Sequence, residues 1–250
     1  MSPRATSWCG ASRAATRPAS CARRTCSRPW LRSRRCPCPS RCASTRTEAA
    51  SPTSDCRARA LLEVAPAARA AQASSVAGAV RGLLRALHAV PLGRARELVD
   101  IDAFPPGEWL REATQHYARI SHSIPSGHRP AVEAFLEAAP PPAPDALALT
   151  HNDLGIEHVL VDPQTLQVTG VIDWADAAIA DPARDVALLY RDLGPAALDA
   201  CAPGADEALL GRARFHARCG LLEDLAYGLE DDHRPYVDKS LLGLAWLFPA

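Results

Sequence analysis

The stretch T-H-N-D-L-G-I-E-H-V-L-V-D (residues 150–162), followed by V-T-G-V-I-D-W-A-D-A-A-I-A-D-P-A-R-D (residues 168–185), decides the fold of this chain. The short, β-branched segments at 158–161 and 168–172 predict two strands, and the turn residues at 162–165 join them into a hairpin. An apolar run at 146–149 leads into the stretch. The hairpin therefore has an acidic loop at its entry, around Asp153, and another at its exit, beginning at Asp173.

Two carboxylates at the ends of neighbouring strands can divide the work of phosphoryl transfer. One accepts the proton of the attacking hydroxyl, and the other holds Mg²⁺ against the nucleotide phosphates. For a single Asp, capping of a turn is the better explanation. For the ordered set with a hairpin between its halves, phosphoryl transfer is favoured.

The loop reads His151-x-Asp153-x-x-x-x-His158, and Asp173 follows the second strand, as in the catalytic loops of kinases. Residues 151–185 resemble the catalytic core of the aminoglycoside phosphotransferase family, which are small-molecule kinases with a protein-kinase-like fold, and are most similar to its macrolide phosphotransferase branch. The resemblance continues with lower specificity upstream to about Leu61 and downstream to Phe248.

The resemblance implies a role for each matching residue. Asp153 would be the catalytic base, His151 would be a second catalytic residue of the same motif, and Asp173 would be the main Mg²⁺ ligand. His158 stands where the family pattern has a metal-binding Asn. This departure matters because imidazole is a poor ligand for Mg²⁺. Macrolide kinases resemble this chain in having His at this position, so His158 is kept as a cofactor-binding and metal-site residue. The supporting residues implied by the motif are Asn152, Asp176, Asp181 and Asp185.

The same resemblance implies Mg²⁺ as cofactor, ATP or GTP as phosphoryl donor and a small-molecule acceptor. Residues 60–250 carry a net charge of −11, which suits a cationic acceptor such as an amino sugar. Acidic side chains near the C-terminus, among them Asp224, could line a substrate cleft, but a solvated helix face is the favoured explanation for each. No apolar run is long enough to cross a bilayer, so we expect a cytoplasmic protein without a membrane partner.

Residues 1–59 differ sharply in composition from the rest. They contain thirteen Arg against two acidic residues, Leu31 as their only Leu, Ile, Val or Phe, and seven of the nine cysteines. So little apolar surface predicts a low-complexity, disordered segment. The cysteine spacing does not form paired zinc knuckles, and the absence of a hydrophobic signal segment argues against a disulfide framework.

Three explanations of residues 1–59 remain open. An Arg- and Ser-rich, acid-poor start is typical of an organelle transit peptide, but an amphipathic apolar face is missing. A basic arm for nucleic acid is less favoured, because Cys and Pro are unusual in one and Lys is absent. We favour a third, that a GC-rich gene is read out of frame up to about Arg59, which translation of the other two frames would test.

The nucleotide clamp of kinase-like folds is not recognisable. In those folds a Gly-rich loop covers the phosphates and a strand Lys pairs with them. No G-x-G-x-x-G precedes residue 151, and the only lysine is Lys239, near the C-terminus.

Helical spacing predicts helices at 67–89, 108–121, 130–138, 181–193, 206–230 and 234–248, with a proline-rich linker at 140–144. The predicted fold class is α+β and protein-kinase-like, mainly a helical C-lobe spanning 60–250, with its catalytic core and hairpin at 146–193 and an irregular N-terminal region. The predicted function is phosphotransfer to a small cationic, antibiotic-like acceptor. The alternative is an inactive kinase fragment or pseudokinase that lacks the nucleotide-binding N-lobe. The oligomeric state is not predicted.

Overall fold

The computed structural model describes residues 58–250, and the predictions made for residues 1–57 lie outside it. The described part is a mixture of short strands and longer helices. The strands are β1 (Arg59–Ala60), β2 (Ala148–Thr150), β3 (Val159–Val161), β4 (Val168–Val171) and β5 (Ala178–Ala180). The helices are α1 (Pro66–His88), α2 (Leu92–Ala95), α3 (Pro106–Ile120), α4 (Arg129–Glu137), α5 (Ala183–Leu193), α6 (Pro195–Cys201), α7 (Glu207–Glu230) and α8 (Arg234–Leu247).

Two small antiparallel sheets carry the stretch that decides the fold. Strands β3 and β4 form the predicted hairpin, with Val159 opposite Val171 and Leu160 opposite Gly170, and β1 pairs with the other edge of β3. Strands β2 and β5 form a second, two-stranded sheet in which Leu149 faces Ile179. The predicted hairpin is therefore confirmed, whereas the sequence did not predict β5.

Local signals explain where the helices begin and end. The Asp181 carboxylate accepts the backbone N–H of Ala183 at 2.9 Å, so the predicted Asp-Pro start of α5 is confirmed. Gly194, with φ at 81°, ends α5, and the following Pro195 starts α6, a helix that the sequence did not predict. Asp206 caps α7 by accepting from the N–H of Leu209 at 2.7 Å.

The core lies where α5, α7 and α8 pack together and where α1 packs on the sheet of β2 and β5. Leu149 and Ile179 join Ala95 of α2 in one buried apolar cluster, so the three-residue strands are held by packing as well as by hydrogen bonds. Among residues 58–250, no helix is both long enough and apolar enough to span a bilayer.

Candidate active site

Two loops meet at one edge of the paired sheets. The HND loop (residues 151–158) connects β2 to β3, and the DW loop (residues 172–177) connects β4 to β5. Because β2 pairs with β5 and β3 pairs with β4, both loops must cross between the same two sheets. The N–H of Ile172 donates to the carbonyl of His158 at 3.0 Å and ties the two loops together.

Asp185 holds the start of the HND loop. Its two carboxylate oxygens accept the backbone N–H groups of His151 at 3.0 Å and Asn152 at 2.8 Å, and Asp185 is fully buried. Asn152 has φ at 70° and Asp173 has φ at 61°, a left-handed backbone that Asn and Asp tolerate better than other non-glycine residues. Asp185 thus fixes the backbone of the two residues that precede the predicted base.

The ring of His151 is enclosed by the DW loop. Its Nε2 lies 3.0 Å from the carbonyl of Ile172, and since a carbonyl only accepts, Nε2 carries the proton. Burial lowers the pKa of His151 although Asp185 opposes the shift, so the ring is neutral at pH 7. The ring of Trp174 lies 4.5 Å away between centroids. His151 therefore braces the two loops and is not exposed to exchange protons with a substrate.

His158 lies between the two predicted carboxylates. Its Nδ1 is 2.6 Å from the backbone carbonyl of Asp153, so Nδ1 donates this bond. The same Nδ1 is 3.7 Å from a carboxylate oxygen of Asp153, and Nε2 is 3.7 Å from a carboxylate oxygen of Asp173. The structure thus brings Asp153, His158 and Asp173 together, and the roles predicted for them stay predictions.

These residues fit a divalent cation bound mainly through oxygen. The Nδ1 of His158 donates to the Asp153 carbonyl, and its Nε2 faces a carboxylate oxygen of Asp173 at 3.7 Å. Asp153, His158 and Glu157 also offer one ligand atom each within 4.8 Å of one another. Mg²⁺ prefers oxygen, which favours the carboxylates over the imidazole as ligands.

Asp102 is a site residue that the sequence did not indicate. Its backbone N–H donates to the carbonyl of Ile179, which fixes Asp102 against β5, and its carboxylate accepts the side-chain amide of Asn152 at 3.1 Å. The same oxygen is paired with Arg184 of α5, whose guanidinium lies over the Trp109 ring. A separation of fifty residues between Asp102 and Asn152 leaves no local pattern from which this contact could be predicted.

The other two predicted supporting residues lie just before α5 and within the DW loop. Asp181 is paired with Arg212 and with the buried ring of His216, both on α7, so it joins α5 to α7. Asp176 lies in the turn of the DW loop beyond Asp173. Their predicted supporting roles stay predictions.

Comparison with known proteins identifies the family. The sequence profile of the phosphotransferase enzyme family (APH) matches residues 13–219. The chain belongs to this family. The match confirms the predicted family membership, and it begins within the segment 1–59, so the predicted domain division at residue 59 stays a prediction.

Two relatives with higher identity match about a fifth of the chain. It is 47% identical over 51 residues to the uncharacterized protein YcbJ of Bacillus subtilis (strain 168), which is 20% of this chain and 16% of that protein. It is 44% identical over 52 residues to the aminoglycoside 3'-phosphotransferase of Streptomyces fradiae, or 21% and 19% of the two chains. These matches span less than a fifth of either relative.

A solved structure matches more of the chain than these two relatives do. The solved GDP complex of wild-type aminoglycoside 2'-phosphotransferase-IIIa has a TM-score of 0.51 to this chain at 18% identity, over 76% of this chain and 67% of that one. The predicted α+β, protein-kinase-like fold class is therefore confirmed.

Proposed function

We propose that this chain transfers the γ-phosphoryl group of ATP or GTP to a hydroxyl group of a small cationic acceptor of the aminoglycoside or macrolide type. The observation that supports the proposal is the position of His158, whose two ring nitrogens each lie 3.7 Å from a carboxylate, Asp153 on one side and Asp173 on the other. Membership of the phosphotransferase enzyme family supports the same reaction class.

Asp153 acts as the general base. The acceptor hydroxyl oxygen attacks the γ-phosphorus, the bond from that phosphorus to the bridging oxygen breaks, and the hydroxyl proton passes to the Asp153 carboxylate. The nucleoside diphosphate leaves with the electron pair of the broken bond. Asp153 is positioned because Asp185 fixes the two preceding residues of the loop.

Asp173, beside His158, would hold Mg²⁺, which would neutralise charge on the phosphates. His158 keeps the two carboxylates apart and hydrogen-bonds the backbone of Asp153. Trp174, 41% exposed at the edge of the site, offers an aromatic surface to a ligand. The net charge of residues 60–250 favours a cationic acceptor.

The second candidate is an inactive fragment or pseudokinase that binds no nucleotide. It is supported by Lys239, the only lysine of the chain, which is 1% exposed and paired with three carboxylates, so this amine does not serve a phosphate group. The sequence also lacks a Gly-rich loop before residue 151.

Calorimetry on the full chain separates the two functions. ATP and GTP are titrated separately in the presence of Mg²⁺, and micromolar binding is expected for the kinase. Kanamycin and erythromycin are then tested as acceptors, with the phosphorylated product detected by mass spectrometry. No binding of either nucleotide would overturn the kinase proposal and support the inactive fragment.

A further inference from the structure

Five charged side chains are buried together beneath the HND loop. This buried charge cluster joins the loop to α5, α7 and α8, and its side chains are between 1% and 10% exposed. Its members are Glu157, Arg191, Asp192, Asp224 and Lys239. Asp224 is 3% exposed and faces inward to Arg191 and Lys239, so the solvated helix face favoured from the sequence was wrong, and the side chain does not line an open cleft.

We propose that Lys239 is a positioning residue for the HND loop and acts through Glu157. Its Nζ donates to a Glu157 carboxylate oxygen at 2.8 Å across 82 residues of sequence, and this is a direct side-chain contact from α8 to the loop. Glu157 immediately precedes His158. A displaced Glu157 therefore shifts the residue that separates Asp153 from Asp173.

The contacts within the cluster give Lys239 a specific task. Three carboxylates contact Arg191 and Lys239, and the buried Arg69 also interacts electrostatically with Asp192, so Asp192 has cationic partners besides Lys239. Asp192 is held on both oxygens by Arg191, at 2.7 and 2.8 Å, and does not depend on Lys239 alone. Glu157 is 3.9 Å from Arg191, so the close partner of its carboxylate in the cluster is Lys239.

Loss of the ammonium group would free Glu157 to turn towards the site. Its carboxylate already shares a 4.8 Å neighbourhood with ligand atoms of Asp153 and His158. A third negative charge there would repel Asp153 and attract a cation away from Asp173. This catalytic consequence rests on the proposed function, whereas the position of the loop can be measured without any activity.

Two backbone amides report the two halves of the loop separately. The N–H of His158 donates to the carbonyl of Gly155 at 3.0 Å and closes the turn that contains Glu157. The N–H of Ile156 donates at 3.1 Å to an Asp192 oxygen that Lys239 contacts at 3.2 Å and that Arg191 still holds at 2.8 Å when Lys239 is replaced. If Lys239 acts through Glu157, its loss should weaken the hydrogen bond of the His158 N–H and leave that of the Ile156 N–H largely intact. If its loss loosens the whole cluster, both hydrogen bonds should weaken.

Amide hydrogen exchange measured by NMR on the full-length K239M variant tests the proposal, because Met keeps the unbranched stem and removes the charge. We expect the His158 amide to exchange at least about tenfold faster than in the wild type and the Ile156 amide to change by less than about threefold. D224N is the matched control, since Asp224 touches Lys239 at 2.9 Å and no loop contact is recorded for it among residues 58–250. It should leave both amides at wild-type rates.

Equal changes at both amides in K239M, or wild-type exchange at both, would overturn the proposal. If K239M does not fold, E157Q tests the same contact from the other side, because the amide removes the charge and keeps the shape. Faster exchange at the His158 amide in E157Q supports the proposal, and a wild-type rate there overturns it. The exchange result does not depend on nucleotide binding, so failure of the proposed function would be recognised separately.

Discussion

The carboxylate of Asp185 accepts the backbone N–H groups of two consecutive residues, His151 at 3.0 Å and Asn152 at 2.8 Å. An amide side chain has one acceptor oxygen, so in D185N the NH₂ group would face one of these donors. We expect D185N to lower the free energy of unfolding by about 2–3 kcal/mol, measured by urea denaturation. D199N, at an exposed position of α6, should stay within about 0.5 kcal/mol of the wild type. Equal stability of the two variants would contradict a stabilising role for the two hydrogen bonds that Asp185 accepts.

Removal of the proposed base should affect turnover and not substrate binding. D153N keeps the shape of the side chain and cannot accept the hydroxyl proton, so kcat should fall by about 10²–10⁴-fold with little change in KM. The measurement is steady-state kinetics with the acceptor found by product detection, and D199N again serves as the control. A D153N variant with wild-type kcat would refute the role of Asp153.

Asp102 predicts a pH dependence of stability in acid. Burial alone would raise the pKa of Asp102, but Arg184 and the donors Asn152 and Phe104 outweigh it and hold this pKa below its usual value. The contribution of Asp102 is therefore present above pH about 4 and is lost as the pH falls through the lowered pKa. In urea unfolding, the stability difference between wild type and D102N should shrink below pH about 4. A constant difference from pH 7 to pH 3 would exclude this coupling, and D145N, at an exposed site, should follow the wild-type curve.

The hairpin could be predicted because its signals lie within a few consecutive residues. Other contacts of the site could not be predicted because they join residues that are far apart in the sequence. The alternating residues before Asp162 and the Asp181-Pro182 pair specify their structures within a few residues, and both predictions are confirmed. Strand β5 is three residues long and is defined by its pairing with β2, so no periodicity indicated it.

The contact partners of the loop were hidden for the same reason. Lys239 was read from the sequence only as a residue in the wrong place for a phosphate contact, because its partner Glu157 is 82 positions away. Glu157, in contrast, stands inside the predicted loop. The charge of Glu157, between Asp153 and His158, could have indicated a buried partner, but the family motif assigns this position no role.

Two buried histidines predict a second pH dependence, near neutrality. Burial lowers the pKa of His216, against the opposing effect of Asp181, and lowers the pKa of His151 as well. A group whose pKa is lowered by folding contributes stability above its unfolded pKa of about 6.5, and this is lost as the pH falls through the folded value. Unfolding free energy should therefore decrease from pH 7 to pH 5, and H216Q should show a smaller decrease. If the unfolding free energy of H216Q decreases from pH 7 to pH 5 as much as that of the wild type, His216 is not the source of the pH dependence.

Gly155 is predicted to be required because Glu157 occupies the space of its missing side chain. A Cβ at position 155 would lie 2.4 Å from a carboxylate oxygen of Glu157, and Lys239 prevents that carboxylate from moving away easily. We expect G155A to lower the free energy of unfolding by about 1–3 kcal/mol. In the E157A background the clash is absent, so the same G155A change should cost less than about 0.5 kcal/mol. Urea denaturation of the four chains measures this coupling. An equal cost in both backgrounds would show that backbone conformation, and not the Glu157 carboxylate, requires glycine at position 155.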